Sequence, residues 1–288
     1  MRPKTSLLLS LALAAAATTA GAQSLMLRAS LDFESYVLNE SVPLTVSVEN
    51  RGASPFICDD YGDYRDNSFT IVLRHESDGY QEASRQGMPF GAVMIPAGQT
   101  QAVTCMLNDW FPLLRQGKYM VQVFVRRGPE TVSSSMISFS IVRGLEIETK
   151  THMIPDSDTR ARRYTLLYWP RKQREDLFLR VEEEPGDKVV ALFCFGAVVR
   201  YVQPSISFGS GGEVRVLHQI GRDRFVRTIL QSDAKTLEVV EQQRLVDPSQ
   251  ATAAQSVIRS REEDLAGGVP LESFRRRRRT AESGDEGK

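Results

Sequence analysis

Residues 42–52 read V-P-L-T-V-S-V-E-N-R-G, and this stretch constrains the fold more than any other. Leu44, Val46 and Val48 alternate with Thr45, Ser47 and Glu49, and Asn50, Arg51 and Gly52 end the run in a turn. Alternation of this kind predicts a strand with one face in a core and the other toward water. Such a strand needs a sheet to lie in and a second layer to cover its apolar side. Residues 36–42 read as the turn that feeds it.

The surrounding chain repeats the pattern. Leu25, Leu27, Ala29, Leu31 and Phe33 alternate with polar or longer residues in a first strand. Further strands are predicted at 69–74, 93–95, 101–107, 117–125 and 136–142. Turn sequences punctuate them at Ser77-Asp78-Gly79 and Pro96-Ala97-Gly98. About seven strands before residue 144 predict two antiparallel sheets packed as a sandwich.

A strand ending in Asn-x-Gly, a later Pro-Ala-Gly turn, and Gly117-x-Tyr119-x-Val121-x-Val123 resemble bacterial immunoglobulin-like domains. The likeness covers residues 36–126 and is weakly similar to the bacterial intracellular proteinase inhibitor family. It implies a tyrosine corner at Tyr119, with the hydroxyl bonded to backbone at the sandwich end. It also implies an inhibitory loop, for which Met88 and Phe90 in the turn-rich segment 84–92 are the candidates.

Past Arg143 and Gly144 the alternation falters as far as Arg163, which predicts a strand leaving the sandwich and then a loop. Apolar runs resume at 164–169, 177–183, 189–202, 213–219, 224–230 and 236–245, with hairpin turns between them. They predict a second antiparallel domain, a meander, over 145–246. The 189–202 run is almost wholly apolar, so it reads as a central strand, with Gly196 as a candidate bulge. Asp247-Pro248 with Gln250 predicts a helix start, running to about Ala266 on a thin apolar stripe. A polar tail with five arginines at 275–279 follows, and reads as a solvated end.

The chain opens with Arg2 and Lys4, an apolar stretch over 7–17 and Ala20-Gly21-Ala22. That is the layout of a secretory signal peptide (1–22) with a mature start at Gln23, in an exported product, periplasmic or secreted. No later apolar run has the length of a transmembrane helix. Basic and acidic side chains are equal at 36 each, so no global field attracts nucleic acid, and no nucleic-acid partner is expected. Three cysteines cannot all pair within one chain. Cys194 reads as a small buried hydrophobe, and a Cys58–Cys105 bridge is left open.

Chemistry is thinly marked. His75, His152 and His218 are scattered without metal-ligand spacing. The acidic loop 58–67 holds four Asp, but Tyr61 and Gly62 occupy positions where a calcium loop requires ligands. Asp156 and Asp158 form one D-x-D pair. Glu146 and Glu148 read as the wet face of a strand. The glycine-rich 208–212 segment lacks the lysine and helix of a phosphate cradle and reads as a hairpin turn. No catalytic, cofactor or metal residues are assigned. The expectation is a non-enzymatic exported chain binding an unknown protein or envelope component. An inhibitor acting through the Met88 loop, or a hydrolase whose site the sequence does not display, are the alternatives.

Overall fold

The computed structural model describes residues 24–59, 67–155, 160–186, 188–234 and 236–246, and the backbone of 269–274. The fold is all-β. The N-terminal half contributes β1 (Leu25–Leu31), β2 (Ser35–Val37), β3 (Pro43–Asn50), β4 (Phe56–Cys58), β5 (Ser68–His75) and β6 (Gly79–Gln81). It continues with β7 (Val93–Ile95), β8 (Thr100–Met106), β9 (Gly117–Arg127), β10 (Glu130–Ser133) and β11 (Ile137–Val142). One sheet has the order β1-β3-β8, and a larger one runs β2-β11-β9-β5-β6 with β10 beside β9. β4 and β7 form a separate pair.

The alternation in 42–52 does what it predicts. Leu44, Val46 and Val48 are buried, facing Tyr119, Val121, Val123 and Val125 in one core cluster drawn from both sheets. Burial of each such aliphatic side chain contributes about 1.5–3 kcal/mol. Thr45 lies on the outer side, where its hydroxyl meets that of Thr104 at 2.9 Å.

The turn residues have specific work. Asn50 is fully buried, and its Nδ2 donates to the carbonyls of Ser54 and Ile95 while its Oδ1 accepts from Gly52 N–H. Gly98 N–H donates to Asn50 O at 2.7 Å and Asn50 N–H to Gln99 O at 2.8 Å, so the Asn-x-Gly and Pro-Ala-Gly turns are bonded together. Tyr119 is buried, and its hydroxyl donates to Arg115 O at 3.0 Å. Gly117, at φ +130°, leaves room there: a Cβ would come within 2.6 Å of His75 Nε2.

The C-terminal half contains β12 (Leu145–Met153), β13 (Ala161–Arg171), β14 (Arg174–Glu184), β15 (Lys188–Val198) and β16 (Ser205–Phe208). β17 (Glu213–Gly221), β18 (Arg224–Ser232), β19 (Leu237–Val246) and β20 (Val269–Phe274) complete it. Two antiparallel meanders result, β12-β13-β14-β15 and β16-β17-β18-β19-β20. Tyr164, Leu166, Leu177, Leu179 and Val181 of the first pack on Ile206, Val214, Val216 and Leu230 of the second.

Several expectations are corrected. Residues 36 and 37, read as the start of a 36–42 turn, belong to β2, a strand parallel to β11 in which Ser35 lies opposite Ser140 and Val37 opposite Val142. The faltering stretch after Gly144 is the nine-residue β12, whose exposed, polar edge hides the alternation. β15 is the end strand of its sheet and not a central one, although Gly196, at φ +82°, does mark a break in its register. Cys194 on β15 is exposed, and Cys58 and Cys105 are buried without a bond to each other. In the expected tail, 269–274 form a strand against β19. The signal segment, the acidic residues 60–66, Asp156 and Asp158, the 247–266 helix and the arginines 275–279 lie outside the described residues.

Candidate interaction surfaces

The histidines are held by the fold and are not brought together. His75 is buried, with Nε2 3.1 Å from Gln116 O, Nδ1 3.3 Å from an Asp78 carboxylate oxygen, and its ring 4.6 Å from that of Tyr119. His152 on β12 stacks on Phe208 at 4.4 Å. His218 on β17 is 2 % exposed, has no hydrogen-bond partner on either nitrogen, and stacks near Phe195 at 5.9 Å. Burial pushes its imidazole down to about 4. Among the described residues no three His, Cys, Asp or Glu side chains gather as a metal site. Gly212 sits where a Cβ would strike Ser232 O at 2.0 Å, so the glycine-rich segment serves a tight hairpin.

Met88 and Phe90 are half-buried and packed against the N-terminal core. Phe90 meets Phe69 edge-on at 5.0 Å. The loop that carries them folds back over the end of the two sheets. Glu146 is exposed and bonded to Arg180, while Glu148 turns inward and accepts from Ile206 N–H at 2.8 Å. Their shared wet face is therefore split, because the register of β12 shifts between them.

The sequence gives no warning of the joint between the two halves. Arg171, at the end of β13, is 4 % exposed in its side chain and reaches across to Ser35 O and to Glu40 on the connection after β2. Its Nε donates to Asp176 at 3.1 Å, and its guanidinium lies 3.9 Å over the Phe33 ring. Trp169 Nε1 donates to Ser35 Oγ at 2.8 Å, and Val37 packs with Leu167 and Phe178. Burial pushes the Glu40 carboxyl upward despite its bonds to Arg171 and to Val37 N–H. The only signal in the sequence is a buried-strand pattern ending in W-P-R-K-Q-R, which does not say what the arginines meet.

β15 is the most unusual surface. Natural end strands are blunted by charge, proline or brevity. This one is 11 residues long, without proline, and carries Val189, Val190, Leu192, Phe193 and Phe195 half-buried or exposed. Leu192 and Cys194 pair with Arg180 and Phe178 of β14, which leaves the other edge of the ladder without a strand among the described residues.

These features define an all-β chain built of several, mostly antiparallel sheets. Neither a family model nor a characterised protein of similar sequence matches the chain. Among solved structures it is similar to Spo0M, a sporulation control protein from Bacillus subtilis, at 11 % identity and a TM-score of 0.29. The match covers 60 % of this chain and 90 % of that one, and at such a score it carries no argument. Among the described residues no helix is long and apolar enough to cross a membrane.

Proposed function

We propose that the chain is an exported, non-enzymatic protein that binds another macromolecule, a protein or envelope component, through the open edge of β15. The observation that carries this reading is the long apolar end strand, which offers backbone donors and acceptors together with the exposed Val190 and Cys194. The tyrosine bond to Arg115 O and the two sheets over one core support reading 23–144 as an immunoglobulin-like domain, with 145–246 as a second β domain. Export rests on the A-x-A pattern at Ala20 and Ala22. The proteinase-inhibitor reading ranks behind, because Met88 and Phe90 pack on the core and do not project toward a protease.

The test is crosslinking in intact cells from a photoreactive residue at Val190. A discrete adduct is expected, and Cys194→Lys, at an exposed position of β15, should abolish it while leaving the thermal melt unchanged. A full-length chain with intact Met1 in the cytoplasm, or exported protein with no adduct, would refute the reading.

A further inference from the structure

β5 has two unlike edges. β9 pairs with it along its whole length, from Ser68 opposite Arg126 to His75 opposite Tyr119. β6 covers the other edge only at Leu73, Arg74 and His75. Among the described residues no strand pairs with 68–72 on that side. In an antiparallel ladder alternate residues direct N–H and C=O to each neighbour, so this stretch retains bonding groups for one more strand.

The open edge forms one wall of a groove. A cavity of about 150 Å³ lies between Phe69, Ile71 and the loop residues Arg85 and Pro89, with Trp110 and Phe111 also lining it. A second, of about 340 Å³, continues past Asn67 and Met88 and shares Phe69 and Gly87 with the first. Arg85 stands at the rim with its guanidinium 4.2 Å over the Trp110 ring. Stacking fixes the cation where a ligand in the groove would meet it. Asp59 marks the far end.

We infer that this groove takes an extended acidic-apolar peptide segment of another protein, added as a strand to the 68–72 edge. An apolar side chain enters the cavity beside Trp110, and a neighbouring carboxylate pairs with Arg85. Backbone bonds supply affinity, and the cavity and Arg85 supply selectivity. The inference rests on the binding reading above but uses a different surface, so the two can fail separately.

The test uses the mature chain and three end-blocked octapeptides: alternating Val and Glu, alternating Val and Lys, and the Val–Glu peptide N-methylated on alternate amides. The Val–Glu peptide is expected to slow hydrogen exchange at alternate amides of 68–72 and to change Trp110 fluorescence. The lysine and N-methylated peptides should bind at least tenfold more weakly, and Arg85→Glu should reverse the preference between Glu and Lys. Cys194→Lys on β15 should change none of this. Binding indifferent to N-methylation or to charge, or no protection at 68–72, would overturn the proposal. So would a dimer of the mature chain that Arg85→Glu dissolves, which would assign the edge to a second copy. Loss of the groove result with an intact β15 adduct would remove only this site.

Discussion

The two halves solve the same packing problem with different side chains. In the N-terminal half one cluster fills the space between the sheets, and among the described residues the buried polar ones are Asn50, His75 and Ser134, each bonded to backbone. Among the described residues the C-terminal half buries eight, including Arg162, Asp176, Glu182 and His218. Four of these, Arg162, Thr165, Asp176 and Glu182, lie in the sheet β12–β15, which is covered on both faces. One face packs on the second meander. The other carries the joint at Leu167 and Phe178, and beside it rows of ion pairs such as Arg163 with Glu182 and Arg180 with Glu182. A sheet with one wet face can keep its polar residues in water, whereas one covered twice must pair them inside.

The largest effect should fall on the simpler half. Val46→Asp places a carboxylate among aliphatic side chains with no partner, and should cost about 4–5 kcal/mol or force the acid to protonate. Thr45→Asp, one residue away on the wet face, should stay within about 0.5 kcal/mol. Urea titrations of the full chain would compare them. Equal losses would mean that the one-face logic of this half is wrong.

Next comes the joint. Arg171→Met leaves the Glu40 carboxylate buried without its cation, while Asp176 keeps Arg174 at 2.8 Å. Loss of one partner of a buried pair should cost about 3 kcal/mol. Trp110 lies in the N-terminal core and Trp169 at the joint, so tryptophan fluorescence can follow both. In the variant the Trp169 transition should precede that of Trp110. Coincident transitions at unchanged midpoint would show that the halves are held by apolar contact alone.

How much of this was legible follows from the same contrast. Alternation revealed β3, β9 and β11 because their polar residues face out, and the Asn50 and Gly98 turns were visible because their residue types are demanded locally. Tyr119 could be placed through its resemblance, since a buried phenol must find an acceptor. β15 was misread because an apolar run shows composition and not neighbours. β2 is three residues long, too short for a period. The Arg171 joint and the β5 groove join residues far apart in the chain, and a one-dimensional pattern carries no sign of that meeting.

An effect no larger than that of Arg171→Met tests how the C-terminal half tolerates its buried polar groups. His218 titrates near 4 in the fold, below its ordinary value of 6.5. The fold therefore favours the neutral ring: its contribution is complete above pH 6.5 and is lost as pH falls from 6.5 toward 4. The loss should be on the order of 3 kcal/mol. His218→Leu should flatten this slope in urea titrations between pH 7 and 4. A wild-type curve already flat there would mean that water or a partner reaches the ring.

The smallest effect belongs to Glu40, and it asks whether the joint is held by charge or by shape. Its carboxylate accepts from Arg171 Nη2 and from Val37 N–H at 2.7 Å, yet burial outweighs both and raises the carboxyl above its ordinary 4.5. A raised carboxyl means that the folded state holds its proton more tightly than the unfolded chain does. The group favours folding most below 4.5, and that contribution is lost as pH rises through the folded value. Ionised Glu40 at pH 7 is thus an expense that the Arg171 bond only offsets. Glu40→Gln keeps an acceptor for Val37 N–H and for Arg171 while removing the buried charge, and Asp176 still balances the guanidinium. The change should move stability at pH 7 by less than about 1 kcal/mol in either direction, against about 3 for Arg171→Met. It should also remove the part of the wild-type slope between pH 4.5 and 7 that His218→Leu leaves behind. A loss for Glu40→Gln as large as that for Arg171→Met would show the ion pair itself to be the fastener. The C-terminal half would then be tied to its neighbour by charge, as the N-terminal half is held together by apolar packing.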